Sequence, residues 1–67
     1  MDWDEAEEIG AALYAMYPEL DPLSVRFTAL YKMVMDLDGF EGHVKGSNEA
    51  RLEAIQMAWL EEYEDHQ

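Results

Sequence analysis

The chain contains no cysteine, only four basic residues, two prolines and no extended apolar run. Without cysteine there is no disulfide, no thiol nucleophile and no thiolate to hold a metal centre. No apolar segment approaches the roughly 18 residues that a membrane-spanning helix needs. The opening Met1-Asp2-Trp3-Asp4-Glu5 lacks the basic and apolar regions of a secretion signal. The expectation is a cytoplasmic protein with no membrane partner. Sixty-seven residues suffice for a single domain, residues 1–67. A chain of this size buries only about 60% of its unfolded surface, so its stability is modest.

Acids are what the chain does contain. Sixteen carboxylates against four bases give a net charge of −12. Residues 1–21 hold seven acids and no base, residues 22–46 three of each, and residues 47–67 six acids with Arg51. Two acidic ends therefore flank a neutral middle. A field of this sign repels nucleic acid and anionic membranes and attracts basic protein surfaces or hard cations. The apolar content, 49%, is too high for a disordered acidic tail.

Hydrophobic periodicity predicts three helices. The first spans about 5–17, with Asp4 as N-cap and Glu7 three residues on, as in a capping box. Ile9, Ala12, Leu13 and Met16 form its buried stripe, which Tyr17 extends. Glu5, Glu7 and Glu8 suit the positive end of the helix dipole. Asp2 and Asp4 add more charge than capping needs, and Glu8 lies three residues from Glu5 and four from Asp4. Such spacing crowds like charges on one face. Trp3 reads either as a lid on the core or as an anchor for a partner.

The connector Tyr17-Pro18-Glu19-Leu20-Asp21-Pro22 is read as stiff. Pro18 ends the first helix by disfavouring helical geometry at Tyr17. Asp21-Pro22 opens a short turn, with the acid as cap and proline at the first helical position. Thr28 is the expected cap of a second helix over about 29–37, striped by Leu30, Met33, Val34 and Leu37, with Lys32 and Asp36 facing outward. Gly39 ends that helix. Three glycines between 39 and 46 predict an open, mobile loop pinned by Phe40, with His43 at the surface. Ser47 or Asn48 caps the third helix, which runs to about Tyr63 through Leu52, Ile55 and Trp59. Residues 62–67 are expected to fray, since the four acids Glu61, Glu62, Glu64 and Asp65 oppose the dipole.

Three short helices and a turn-like connector resemble a helix-turn-helix or winged-helix core. Such modules read DNA through a basic helix, and neither later helix is basic, so no nucleic acid is expected. Ser24, Thr28, Ser47, His43 and His66 form no nucleophile–base pattern, and a catalytic pocket has little room in so small a core. The protein is not expected to be an enzyme. Clustered Asp4, Glu5 and Glu8, and separately Glu19 and Asp21, offer hard oxygen donors for a weak, water-completed cation site. A continuous helix would put Glu5 and Glu19 about 21 Å apart.

A specific resemblance joins these features. Glu8-Ile9-Gly10, Ala12-Leu13-Tyr14, Tyr17-Pro18-Glu19-Leu20-Asp21-Pro22 and Val25-Arg26-Phe27-Thr28 stand in the order and spacing of the IscX family. Asp36-Leu37, Phe40, Ser47-Asn48-Glu49, Leu52-Glu53-Ala54-Ile55 and Trp59-Leu60 continue the match. The chain thus resembles the small acidic proteins of bacterial iron–sulfur cluster assembly from about Trp3 to Glu62. The resemblance implies a mostly α, modified winged-helix fold and a monomeric adaptor that binds the cysteine desulfurase in competition with frataxin. It also implies weak binding of ferrous iron (Fe2+), with no cluster held by the chain itself. The implied partner surface is Trp3, Glu5, Glu8, Glu19, Asp21 and Arg26, and the implied iron donors are Asp4, Glu5, Glu8, Glu19 and Asp21. Around Phe40 the chain departs from the family, with Gly39, Gly42 and His43 where acids are more usual. Charge alone would equally suit a decoy for a basic DNA-binding protein or a simple iron chaperone.

Overall fold

The computed structural model describes residues 1–66, and three α-helices carry its core: α1 (Ala6–Met16), α2 (Phe27–Met35) and α3 (Glu49–Asp65). Single turns of 3-10 helix, Pro22–Ser24 and Val44–Gly46, punctuate the connections, and no strand occurs among the described residues. The mostly α, three-helix expectation holds. Trp3, Ile9, Leu13, Leu30, Val34, Leu37, Leu52, Ile55 and Trp59 form one buried cluster.

Helices α1 and α3 lie side by side and point the same way. Ala6 shares a hollow with Ala54, Gly10 abuts the backbone of Ala58 and Trp59, and the Tyr14 ring stacks on His66 at 4.6 Å. A Cβ on Gly10 would sit 2.7 Å from the Trp59 nitrogen, so this approach requires glycine. Ile9 and Leu13 of the predicted stripe are fully buried and Ala12 and Tyr17 pack against the core, with Gly10 added at the contact with α3; Met16 alone is misplaced. Met16 lies on the flank, 61% exposed.

The predicted caps divide. Asp21 Oδ1 accepts the Leu23 N–H at 2.9 Å and Asn48 Oδ1 accepts the Arg51 N–H at 2.8 Å, as the sequence suggests. Thr28 is not a cap: α2 begins one residue before it, at Phe27, with Arg26 in extended N-cap geometry and no side-chain bond. Asp4 is not a cap either. Burial of Trp3 draws the preceding chain into a turn in which the Glu5 N–H donates to the Asp2 carbonyl at 2.9 Å. Glu5 Oε1 in return accepts the Asp2 N–H at 2.8 Å. This is half of a capping box, two residues earlier than expected.

Trp3 also overturns the picture of an open loop. Its indole stacks on Tyr31 (5.9 Å between centroids), meets Phe40 edge-on at 4.9 Å and donates from Nε1 to the His43 carbonyl at 2.7 Å. Gly42 and Gly46 lie against the same ring, where a Cβ would come within 2.8 and 2.5 Å of its Cδ1. These two glycines serve close approach rather than mobility. Phe40 pins the loop as expected, but it does so against Trp3. The α2 helix stops at Met35, two residues short of the prediction. Leu37 is buried by a tight turn onto the Val34 carbonyl, and Gly39 follows at φ +80°. The third helix continues to Asp65, and His66 Nδ1 bonds the Glu62 carbonyl at 2.7 Å. The residues expected to fray, from 62 on, are helical as far as Asp65, and Gln67 lies outside the described residues.

Candidate functional site

Helix periodicity splits the acids of α1 between two flanks. Successive residues turn by about 100°, so Glu5 and Glu8 share the flank that also borders Asp4, while Glu7 points toward α3. Asp4, Glu5 and Glu8 are all exposed, as are Glu19, Asp21 and Arg26 in the connector. Trp3 is not: it is 1% exposed. Its predicted place among partner contacts is corrected, since an indole locked under the loop supports the surface without forming part of it.

The Glu5 and Glu8 carboxyls are neighbours on this flank, close enough that a proton on one can bond to the other. The Asp2 backbone N–H and that shared bond hold Glu5 below the ordinary carboxylate range. The same bond, together with the Glu5 charge, pushes Glu8 up. Two exposed carboxyls competing for one proton report a locally strong negative potential. This is the like-charge crowding read from their spacing, now with its partner identified.

The connector carries the second group. Asp21 is anchored twice over. Its side chain caps Leu23, and its carbonyl accepts Ser24 Oγ at 2.7 Å. The segment is moored to α3 by Gln56, whose Nε2 donates to the carbonyls of Pro22 at 3.0 Å and Val25 at 3.3 Å. Reading α3 through Leu52, Ile55 and Trp59 missed this role. A polar side chain amid an apolar stripe was the available signal. The length of α1 beyond Glu8, about 12 Å at 1.5 Å per residue, separates Asp4, Glu5 and Glu8 from Glu19 and Asp21.

Among the described residues, no three His, Asp or Glu side chains converge as a ready-made metal site. The carboxylates could hold a cation only pairwise, with water or a partner completing its shell. A third acidic feature escaped the sequence altogether. Glu7 of α1 lines one hollow with Glu61, Glu62 and Asp65 of α3, alongside the close approach of the two helices at Gly10 and Ala58. None of the described side chains joins Arg26, Lys32, Lys45 or Arg51 in an ion pair. The ion pair present links the Met1 amine to Glu41 at 3.6 Å.

The chain matches the family described as iron-sulphur cluster assembly over residues 1–64. It is also 40% identical over 62 residues to an uncharacterized protein of Pseudomonas aeruginosa, covering 92% of this chain and 94% of that protein.

Proposed function

This chain belongs to the IscX family of iron–sulfur cluster assembly proteins, and on that premise we propose that it is a monomeric, non-catalytic adaptor of the assembly machinery. It docks its carboxylates on a basic surface of the cysteine desulfurase in the cytoplasm and modulates cluster assembly. The observation that carries this reading is the Glu5–Glu8 pair, two exposed carboxyls crowded on one flank of α1 beside Asp4. Arginines on a partner would supply the positive charge that the chain itself does not place there, through charge-assisted and often bidentate bonds. Glu19 and Asp21 extend the same docking face, and Arg26 beside them sets its register by matching a partner acid. Another acidic protein such as frataxin would compete for the same basic patch.

Ferrous iron fits this scheme as a weakly held ligand. Asp4, Glu5 and Glu8, or Glu19 and Asp21, would supply some of its oxygen donors, with water or desulfurase groups supplying the rest. A hard cation seated at Glu5 and Glu8 would displace the shared proton, so iron and proton compete there.

The test is an amide NMR titration of the labelled protein with the desulfurase at low and raised salt. Signals of Asp4–Glu8 and Glu19–Arg26 should broaden first and recover as salt rises. Glu5→Lys combined with Glu8→Lys should abolish binding and leave the amide spectrum of α2 unchanged. Retained affinity in that double variant would overturn the docking face. Fe2+ should broaden Asp4–Glu8 or Glu19–Asp21 before any other segment, and broadening confined to α3 would move the iron site.

A further inference from the structure

Three hollows among the described residues carry carboxylates in their lining: one Glu7, Glu61, Glu62 and Asp65, one Glu7, Glu61 and Glu64 beside Met57 and Leu60, and one Asp4, Glu5, Glu7 and Glu8. Another is different in kind. It is an open cleft of about 470 Å³ between α2 and the start of α3, lined by Phe27, Thr28, Tyr31, Lys32, Ser47 and Leu52. Two aromatic rings and a leucine make its floor apolar, and Lys32 is its only charged lining residue.

The surrounding sequence reinforces that charge. Lys32 lines the cleft, Arg26 precedes Phe27, Arg51 precedes Leu52, and Lys45 lies two residues before Ser47. All four bases of the chain thus lie in the cleft or within two residues of its lining. Of the sixteen acids only Glu49 and Glu53 are as close in sequence. Four bases against two acids give a local balance of +2 in a chain of net −12. Arg51 is held in place, its Nη1 donating to the Gly46 carbonyl at 2.7 Å. The floor is equally firm, because Tyr31 is stacked on the buried Trp3.

We propose that this cleft is a second protein-docking surface, which takes a short acidic segment of a partner: an apolar side chain on the Phe27–Tyr31–Leu52 floor, with flanking carboxylates directed to Lys32 and its neighbouring bases. Charge complementarity selects that occupant, since a basic segment would be drawn to the carboxylate-lined hollows instead. The surface meets the desulfurase-docking face only at Arg26, and its test rests on Lys32 and Thr28, so its success or failure leaves that reading untouched. With both surfaces the chain can hold a basic partner and an acidic one at once, which is what an adaptor requires.

The experiment is an amide NMR titration at about 0.15 M salt, where charges beyond about 8 Å are screened. The probe is a capped hexapeptide alternating aspartate with leucine, and its control replaces each aspartate with lysine. The acidic peptide should shift amides in 27–32 and 46–52, and the basic control should shift 4–8 and 58–65. Lys32→Glu and, separately, Thr28→Glu place a carboxylate in an exposed position of the cleft, and each should weaken the acidic peptide about tenfold or more. Shifts elsewhere, no shift at millimolar peptide, or unchanged affinity in both variants would overturn the proposal. So would equal shifts from acetyl-aspartate alone, since the cleft would then be an anion spot without use for its apolar floor.

Discussion

The two tryptophans are both fully buried and are held in opposite ways. Trp59 sits mid-helix in α3, packed where α1 crosses at Gly10, and its Nε1 has no hydrogen-bond partner among the described residues. Trp3 lies outside any helix and is gripped by Tyr31, Phe40, two glycines and the His43 carbonyl, most of them forty residues along the chain. One seam is built from regular periodicity. The other is built from irregular backbone wrapped around a single ring. The difference shows that a loop can be as much a part of the core as a helix when one large side chain organises it.

Breaking the irregular seam should have the largest effect. Trp3→Ala removes a buried ring and its hydrogen bond, a loss of about 3–5 kcal/mol. A domain of this length holds roughly 3–10 kcal/mol in total, so thermal denaturation should show the variant largely unfolded or melting far lower. A variant within 1 kcal/mol of wild type would mean that the loop does not depend on the ring.

The regular seam should break less severely. Gly10→Ala pushes a methyl group against the α3 backbone and should cost about 1–3 kcal/mol in urea denaturation. No loss would show that α1 can slide on α3. Gln56→Ala should cost about 1–2 kcal/mol through two lost hydrogen bonds. It should also speed amide exchange in 19–25 while leaving the Trp3 loop protected. Exchange that rises equally in both places would erase the division between the seams.

The smallest effect lies at Glu5 and Glu8. Because Glu8 is pushed up, its protonated form is the one folding favours, and that contribution is present at low pH and lost as pH rises through the folded value. Glu5, held down, contributes above its ordinary range and loses that contribution as pH falls. The two oppose one another. Glu8→Gln keeps a donor to Glu5 and removes the second charge, so its melting temperature should slightly exceed that of wild type at pH 7. The gap should close near pH 4, where wild-type Glu8 is already protonated; a gap independent of pH would count against the shared hydrogen bond.

The same contrast explains what the sequence made legible. Ile9, Leu13, Leu30, Val34, Leu52, Ile55 and Trp59 recur at helical spacing, and each is buried where periodicity places it. Asp21 and Asn48 could be recognised as caps because a cap is a local hydrogen bond. Met16 misled because the stripe's centre depends on which neighbour α1 meets, and Gly10, rather than a large side chain, sets that contact. Thr28 and Asp4 misled because burial of Phe27 and Trp3 moved the helix starts. Of the candidate site, the crowding at Glu5 and Glu8 was readable from spacing. The hollow that Glu7 shares with Glu61, Glu62 and Asp65 was not, because nothing local says which face of α1 meets α3.

The parallel pairing of α1 with α3 has an electrical consequence. The Tyr14–His66 stack brings the C-terminal ends of α1 and α3 together, so the negative poles of two helix dipoles coincide with Glu61, Glu62, Glu64 and Asp65. Lys45 and Arg51 stand near the other end of α3, about 20 Å away at the rise of a helix. The C-terminal end of the pair is therefore negative through backbone and side chains alike, while Asp2, Asp4, Glu5, Glu7 and Glu8 make the opposite end of α1 acidic in spite of the positive dipole pole there. A cationic surface can draw the chain in by either end, so the side chains that it meets, rather than the long-range field, select the orientation.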